Sequence, residues 1–157
     1  MRRLIGAAGA LALFAGAVHA APQDDITATI NQFVAAFDKG DMKSAEATQD
    51  SADLTIIDEV APYVWKGPTA FGSWGHDLMA SDAKAGITNE SVAISPPSRI
   101  ELDGERAYAV VPVVYSFKDH GAAMHEPAQM TFALHKGVDG WKITAWTWTG
   151  PKATPAG

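Results

Sequence analysis

The chain has 157 residues, no cysteine and a formal net charge of −6. A length of this order makes one domain, and the lack of cysteine excludes a disulfide framework, a thiolate nucleophile and a Cys-ligated metal. The acidic balance weighs against nucleic acid and anionic membranes, which both select basic patches, and leaves neutral, cationic or protein partners.

Arg2 and Arg3 open the chain, the uncharged run LIGAAGALALFAGAV follows, and Val18-His19-Ala20 precedes Ala21-Pro22. A basic start, a short apolar stretch and a small-x-small site form a secretory signal, so residues 1–20 are expected to be cleaved after Ala20. The run is too short and too rich in Gly and Ala for a span, which takes roughly 20 strongly apolar residues. No stable membrane insertion is expected after cleavage, and the mature protein is expected in the periplasm or the medium. Its charge would be −8, because two arginines leave the −6 chain with the leader. The expected domain covers residues 21–150, with 151–157 as a loose tail.

In DDITATINQFVAAFDKGD, Ile26, Ile30, Phe33, Val34 and Phe37 recur at steps of three and four, which predicts a helix. Asp24 or Asp25 suits its start and Gly40 its end. Asp41 then caps a second, short helix through about Thr48. Leu54–Ile57 is a β-branched run that predicts a strand ending in Asp58 and Glu59. Pro62 interrupts it, and Gly67-Pro68 opens a helix carrying Phe71, Trp74 and Leu78.

After SDAKAG the period becomes two. Strands are expected over 87–95, 99–102, 106–117, 126–136 and 141–148, with Asp103-Gly104 the clearest hairpin signal. Pro96-Pro97 should interrupt one long strand, because proline cannot donate to a ladder. On strict alternation Trp141 and Ile143 share one face of the last strand, and Trp146 and Trp148 share the other. An aromatic outer face of that kind would suit a partner protein.

Helices followed by antiparallel strands predict an α+β fold, a curved sheet packed on helices whose mouth forms an apolar pocket. The helix, Gly-Asp, short-helix start, the strand ending in Asp58, the W-x-G-P-x-A-F-x-x-W stretch and the closing GWKITAWTW together resemble the nuclear-transport-factor-2-like superfamily. SnoaL-like and ketosteroid-isomerase-like exported proteins are closest in pattern, and the resemblance covers roughly Asp24–Thr149. It implies a cone-shaped, cystatin-like α+β barrel, often homodimeric through the outer sheet face. It also implies a carboxylate at the end of the first strand that shuttles a proton, a position that falls on Asp58. The tyrosine and the protonated acid that assist such a base in ketosteroid-isomerase-like members fall on Phe33 and near Met130. Both donors are thus missing at those positions. Losing one oxyanion donor costs on the order of a hundredfold, which weighs against steroid-type isomerisation.

Asp58 could act as a general base raised by apolar neighbours such as Ile56 and Trp65, or it could simply hold the N–H groups of its own turn. Glu59, one residue on, is expected to point away. Tyr108 and Tyr115 have opposite parity, and Tyr115 is placed inward with Val111, Val113 and Phe117. His76, His120, His125 and His135 lack any zinc spacing, so no metal and no cofactor are expected. The pocket wall is expected from Phe33, Phe37, Asp58, Tyr63, Trp65, Trp74, Tyr115 and Met130, with a small apolar or aromatic molecule as ligand. Three functions stay open. One is binding alone; another is a lyase, isomerase or hydrolase with Asp58 as base and Tyr63 or Tyr115 as donor. The third is an interaction module acting through the outer sheet face.

Overall fold

The computed structural model describes residues 22–157, so the expected leader lies outside the described residues. The first helix, α1, covers Pro22–Asp38 and buries Ile26, Ile30, Phe33, Val34 and Ala36. It starts two residues before Asp24, with a proline that needs no N–H partner in the first turn. Its end is a Schellman motif: Gly40, at φ +69, donates to the Phe37 carbonyl and Asp41 N–H donates to the Ala36 carbonyl. Asp41 then caps α2 (Met42–Glu46) by accepting from Ser44 N–H. One Gly-Asp pair therefore stops one helix and starts the next.

The short strands β1 (Thr55–Ile57) and β2 (Val64–Lys66) pair antiparallel, with Ile56 opposite Trp65. β2 lies where the sequence reads as connection. The third helix, α3, covers Ala70–Ala85 and is stopped by Gly86 at φ +72. It thus takes in most of SDAKAG, and Pro68 precedes its Thr69 cap position instead of occupying its first turn.

The sheet then grows through β3 (Ile87–Ile94), β4 (Arg99–Asp103), β5 (Arg106–Asp119), β6 (Ala122–Gly137) and β7 (Gly140–Thr149). Its order is β2-β1-β7-β6-β5-β3, with β1 and β7 parallel and the other neighbours antiparallel. β5 and β6 form the spine, paired from Arg106↔His135 to Asp119↔Ala122. At its turn His120 and Gly121 both have positive φ, which fits a tight primed hairpin. That turn brings the start of β6 forward to Ala122, ahead of the expected Glu126. β3 and β4 share one edge of β5, separated by Pro96 and Pro97 as their missing donors require.

The fold is α+β, a curved, mostly antiparallel sheet wrapped on the helices. A bulge corrects the expected faces of β7: Ala145 pairs with Ala133 but Ile143 pairs with Leu134, leaving Thr144 as an extra residue. One extra residue reverses the alternation beyond it. Trp141, Ile143 and Trp146 are therefore all buried, and Trp148 packs against the same core. The tryptophan patch expected on the outer face does not exist. Trp146 meets Phe33 at 5.7 Å and Trp74 at 4.9 Å between ring centroids, which locks α1 and α3 onto the sheet.

The tail is not loose. β8 (Thr154–Pro155) pairs with Met124 and His125 of β6, and Ala156 N–H donates to the Ala123 carbonyl. Among the described residues no helix is long and apolar enough to cross a membrane.

Candidate functional site

The α1 and α3 side chains do not fill the cone. A cavity of about 390 Å³ remains between them and the sheet, in the range of small-molecule pockets. Phe33 and Phe37 reach it from α1, and Trp74 and Leu78 from α3. Val92, Tyr115, Phe117, Met130, Trp146 and Trp148 reach it from the sheet. The helix, β5 and β6 members follow from the two periodicities, whereas Val92, Trp146 and Trp148 lie beyond the bulges of β3 and β7.

The polar lining follows from departures from those periodicities. Asp58 leaves the ladder after Ile57, and its N–H donates to the Tyr63 carbonyl at 3.2 Å. Its Oδ1 accepts from Glu59 N–H at 2.7 Å and its Oδ2 from the Trp74 indole at 2.6 Å. Burial holds its carboxyl above the usual range, against the opposite pull of those two donors. Asp58 thus accepts from an N–H of its own turn and also lines the cavity. Glu59 also lines the cavity, because strand alternation does not extend past Ile57. Desolvation, the Glu126 and Asp58 charges and contact with the Glu126 carboxyl push Glu59 up to about 7.

Asp82 continues the Phe71, Trp74, Leu78 stripe and is 9% exposed. Desolvation and the neighbouring Glu90 carboxyl raise it to about 6. Glu90 lies at a bulge in β3, where the register shifts between Thr88 and Ser91 and Asn89 takes φ +58. It accepts from the Tyr115 hydroxyl at 2.9 Å, and burial together with Glu90 raises the phenol well above its ordinary value. Glu126 is 2% exposed and accepts from the Trp148 indole at 2.7 Å. The carboxyl that the resemblance places near Met130 is thus absent there, but one stands two inward positions earlier on the same strand. Among the described residues, Lys152 from the tail is the one cation of the lining.

Phe33, Phe37, Asp58, Trp74, Tyr115 and Met130 of the expected wall line the cavity; Tyr63 and Trp65 do not. Trp65 is buried in β2 with its N–H donating to Asp77 Oδ2 at 2.9 Å. Tyr63 is 59% exposed, with φ +74 in the turn that ends at β2. Neither is in position to serve the cavity, so Tyr63 is no donor to a reacting group there. Among the described residues no group of three or more His, Asp and Glu side chains converges to hold a metal.

Asp82 and Glu126 could have been found by extension. Asp82 is one helical step past Leu78, and Glu126 lies on the even-numbered inward face of Met130, Phe132 and Leu134. Glu90 and Trp148 depend on bulges and carried no local signal.

The sequence model for the SnoaL-like domain matches residues 26–147. Similar solved structures include a nuclear transport factor 2-like superfamily protein from Salmonella enterica serovar Typhimurium. It has 18% identity and a TM-score of 0.67, over 87% of this chain and 95% of that one. A type 2 hexachlorocyclohexane dehydrochlorinase gives 13% identity and a TM-score of 0.68, over 87% and 92% of the two chains. The CaMKII hub of S. rosetta gives 18% and 0.69, over 85% and 100%. At these identities the likeness is one of fold. No curated protein matches the sequence significantly.

Proposed function

The chain belongs to the SnoaL-like domain family, and from that premise we propose that it is an exported domain that binds a small molecule in the cavity beneath Trp74. The carrying observation is the cavity itself, about 390 Å³ with walls from both helices and the sheet. Export is inferred from the leader pattern of residues 1–20, and a homodimer through the outer sheet face from the family resemblance. Tyr108 and Val114, 41% and 39% exposed on the outward positions of β5, would lie in that face. Light scattering of the mature chain at micromolar concentration should then give twice the monomer mass.

The binding test is native mass spectrometry with a thermal-shift screen. A bound ligand at a hundredfold excess over Kd should add about 2.7 kcal/mol of stability by mass action. Leu78→Trp, which fills the cavity, should abolish the shift. A shift that survives filling would put the ligand elsewhere.

A second reading is supported by Asp58, which faces the cavity with a carboxyl raised by burial. Such a group can take a proton from carbon and return it, as a lyase, isomerase or hydrolase requires. Its nearest phenol in the cavity is Tyr115, whose hydroxyl already donates to Glu90. Asp58→Asn separates the readings: an enzyme loses turnover of the bound molecule, whereas a binding domain returns its ligand unchanged before and after the substitution. The interaction-module reading has lost its motive, since Trp141, Trp146 and Trp148 pack inward.

A further inference from the structure

On the reading that the cavity holds a small molecule, we propose that its ligand is a protonated organic amine, a primary or secondary ammonium on an apolar or aromatic body. Asp58, Glu59, Asp82, Glu90 and Glu126 all line the space. They converge from the β1–β2 turn, α3, β3 and β6, so folding itself concentrates the charge. Every hydrogen-bond donor these carboxyls have in the structure is neutral. Asp58 has the Trp74 indole and the Glu59 amide, Glu90 has the Tyr115 hydroxyl, and Glu126 has the Trp148 indole. The contacts between a carboxylate and a basic side chain among the described residues are His76–Asp77, Arg99–Glu101 and His120–Asp119, none of them in the cavity.

Asp82 is the sharpest case. It is 9% exposed and lines the cavity, and the polar group beside it is the Glu90 carboxyl, a second acid. Two acids side by side in a largely buried site can share at most one proton, and an N–H donor that enters the cavity would serve both. A neutral apolar occupant would strip water from these groups and return no hydrogen bond. An anion would add repulsion. An ammonium brings both opposite charge and N–H donors.

The walls fit the same ligand. Tyr115, stacked on Phe117 with centroids 4.7 Å apart, and Trp148, edge-on to it at 6.0 Å, line the cavity, and aromatic rings attract organic cations. A quaternary ammonium could use those rings but has no N–H for Asp82. Lys152 does not serve in place of the ligand: it is exposed on the tail and pairs with none of the five carboxyls.

The test is calorimetric titration of the mature chain with three matched probe classes at about pH 8. Phenethylamine and tryptamine are the cations, phenethyl alcohol and tryptophol their neutral counterparts, and hydrocinnamate and indolepropionate the anions. The amines should bind about tenfold or more tightly than the alcohols, and the anions not at all. In Asp82→Asn that preference should fall to about threefold or less. Glu105→Gln, which removes an exposed charge at the β4–β5 turn, should leave it intact. Glu90→Gln supplies a second cavity variant, and circular dichroism checks that each is folded.

The groups facing Asp82 across the cavity are Asp58 and Glu59, Glu90, Tyr115, Glu126 and Lys152. With Asp82 held at about 6 and Glu59 at about 7, amine binding near pH 6 should release protons and weaken relative to pH 8. Alcohols that bind as tightly as amines would overturn the inference and leave the pocket standing. So would an amine preference that survives both cavity variants. If no probe of any class binds, both the amine and the small-molecule reading fail.

Discussion

The Trp74 indole N–H donates to Asp58 Oδ2 at 2.6 Å, joining α3 to the turn that follows β1. Trp74 also packs against Phe37, Phe71 and Trp146, so its ring is fixed before it donates. The bond favours the ionised carboxyl while burial opposes it, and burial prevails. Trp74→Phe removes the donor and keeps most of the ring, so Asp58 should titrate at still higher pH. The lost bond and the gap left by the smaller ring should cost about 1–3 kcal/mol. Carboxyl NMR titration and urea unfolding measure the two effects. A downward shift of Asp58 in the variant would contradict this account of the bond.

Asp82 and Glu59 set the pH dependence of stability. Both are raised in the folded protein, to about 6 and about 7, from ordinary values of 3.8 and 4.5. Between those limits the folded state binds more protons than the unfolded one, so stability is highest at the acid side and falls as pH rises from about 4 to 7. Asp58, raised by burial, adds to the same trend. Asp41 and Asp77 are lowered and act in the opposite sense, but only below their ordinary value of 3.8. For Asp82 the loss should be on the order of 1–3 kcal/mol, and less for the better-solvated Glu59. Urea midpoints at pH 5 and 8 should therefore differ, with Asp82→Asn stabilising the chain more at pH 8 than at pH 5.

What could be read in advance divides along physical lines. The stripe Ile26, Ile30, Phe33, Val34, the Gly40-Asp41 junction and the Pro96-Pro97 break are local devices, and each has the structure its chemistry dictates. The last strand was not legible because period two holds only while the register is unbroken. Thr144 carries no mark of a bulge; its extra length is imposed by the pairing of β7 with β6. Trp65 departs from the expected wall for a related reason. Its aromatic type suggested a pocket wall, but β2 sets it opposite Ile56 and Asp77 takes its N–H. The acidic lining has no signature in the sequence because its members come from four elements, and only the fold makes them neighbours.

Gly150 connects the sheet to the tail at a point of close approach. A Cβ there would run into the Glu126 carboxyl and come within 2.9 Å of Ala128 Cβ. Glycine is required by contact here, not by its dihedral angles. Gly150→Ala should lift the tail, release β8 from Met124 and His125, and expose Glu126 to solvent. Hydrogen exchange at Ala156, whose N–H donates to the Ala123 carbonyl, should speed up. The global loss should be small, about 1–2 kcal/mol, because β8 spans only Thr154–Pro155. Unchanged protection of Ala156 would mean that the tail is not held through this contact.

Deleting Thr144 tests the bulge itself. Without the extra residue, β7 must either break its pairing with Ala133 and beyond or turn Trp146 and Trp148 to the outer face. The first choice sacrifices ladder bonds; the second removes Trp146 from Phe33, Phe132 and Trp74. Truncating one buried tryptophan costs about 3–5 kcal/mol, and displacing two exhausts the stability of a small domain. The deletion should therefore give no cooperative unfolding transition. Thr144→Val keeps the residue count and loses only the hydroxyl bond to the Ala133 carbonyl, 3.1 Å long. That variant should fold, with a loss of about 1 kcal/mol. A folded deletion variant with native tryptophan fluorescence would show that the inward placement of Trp146 and Trp148 does not depend on the bulge.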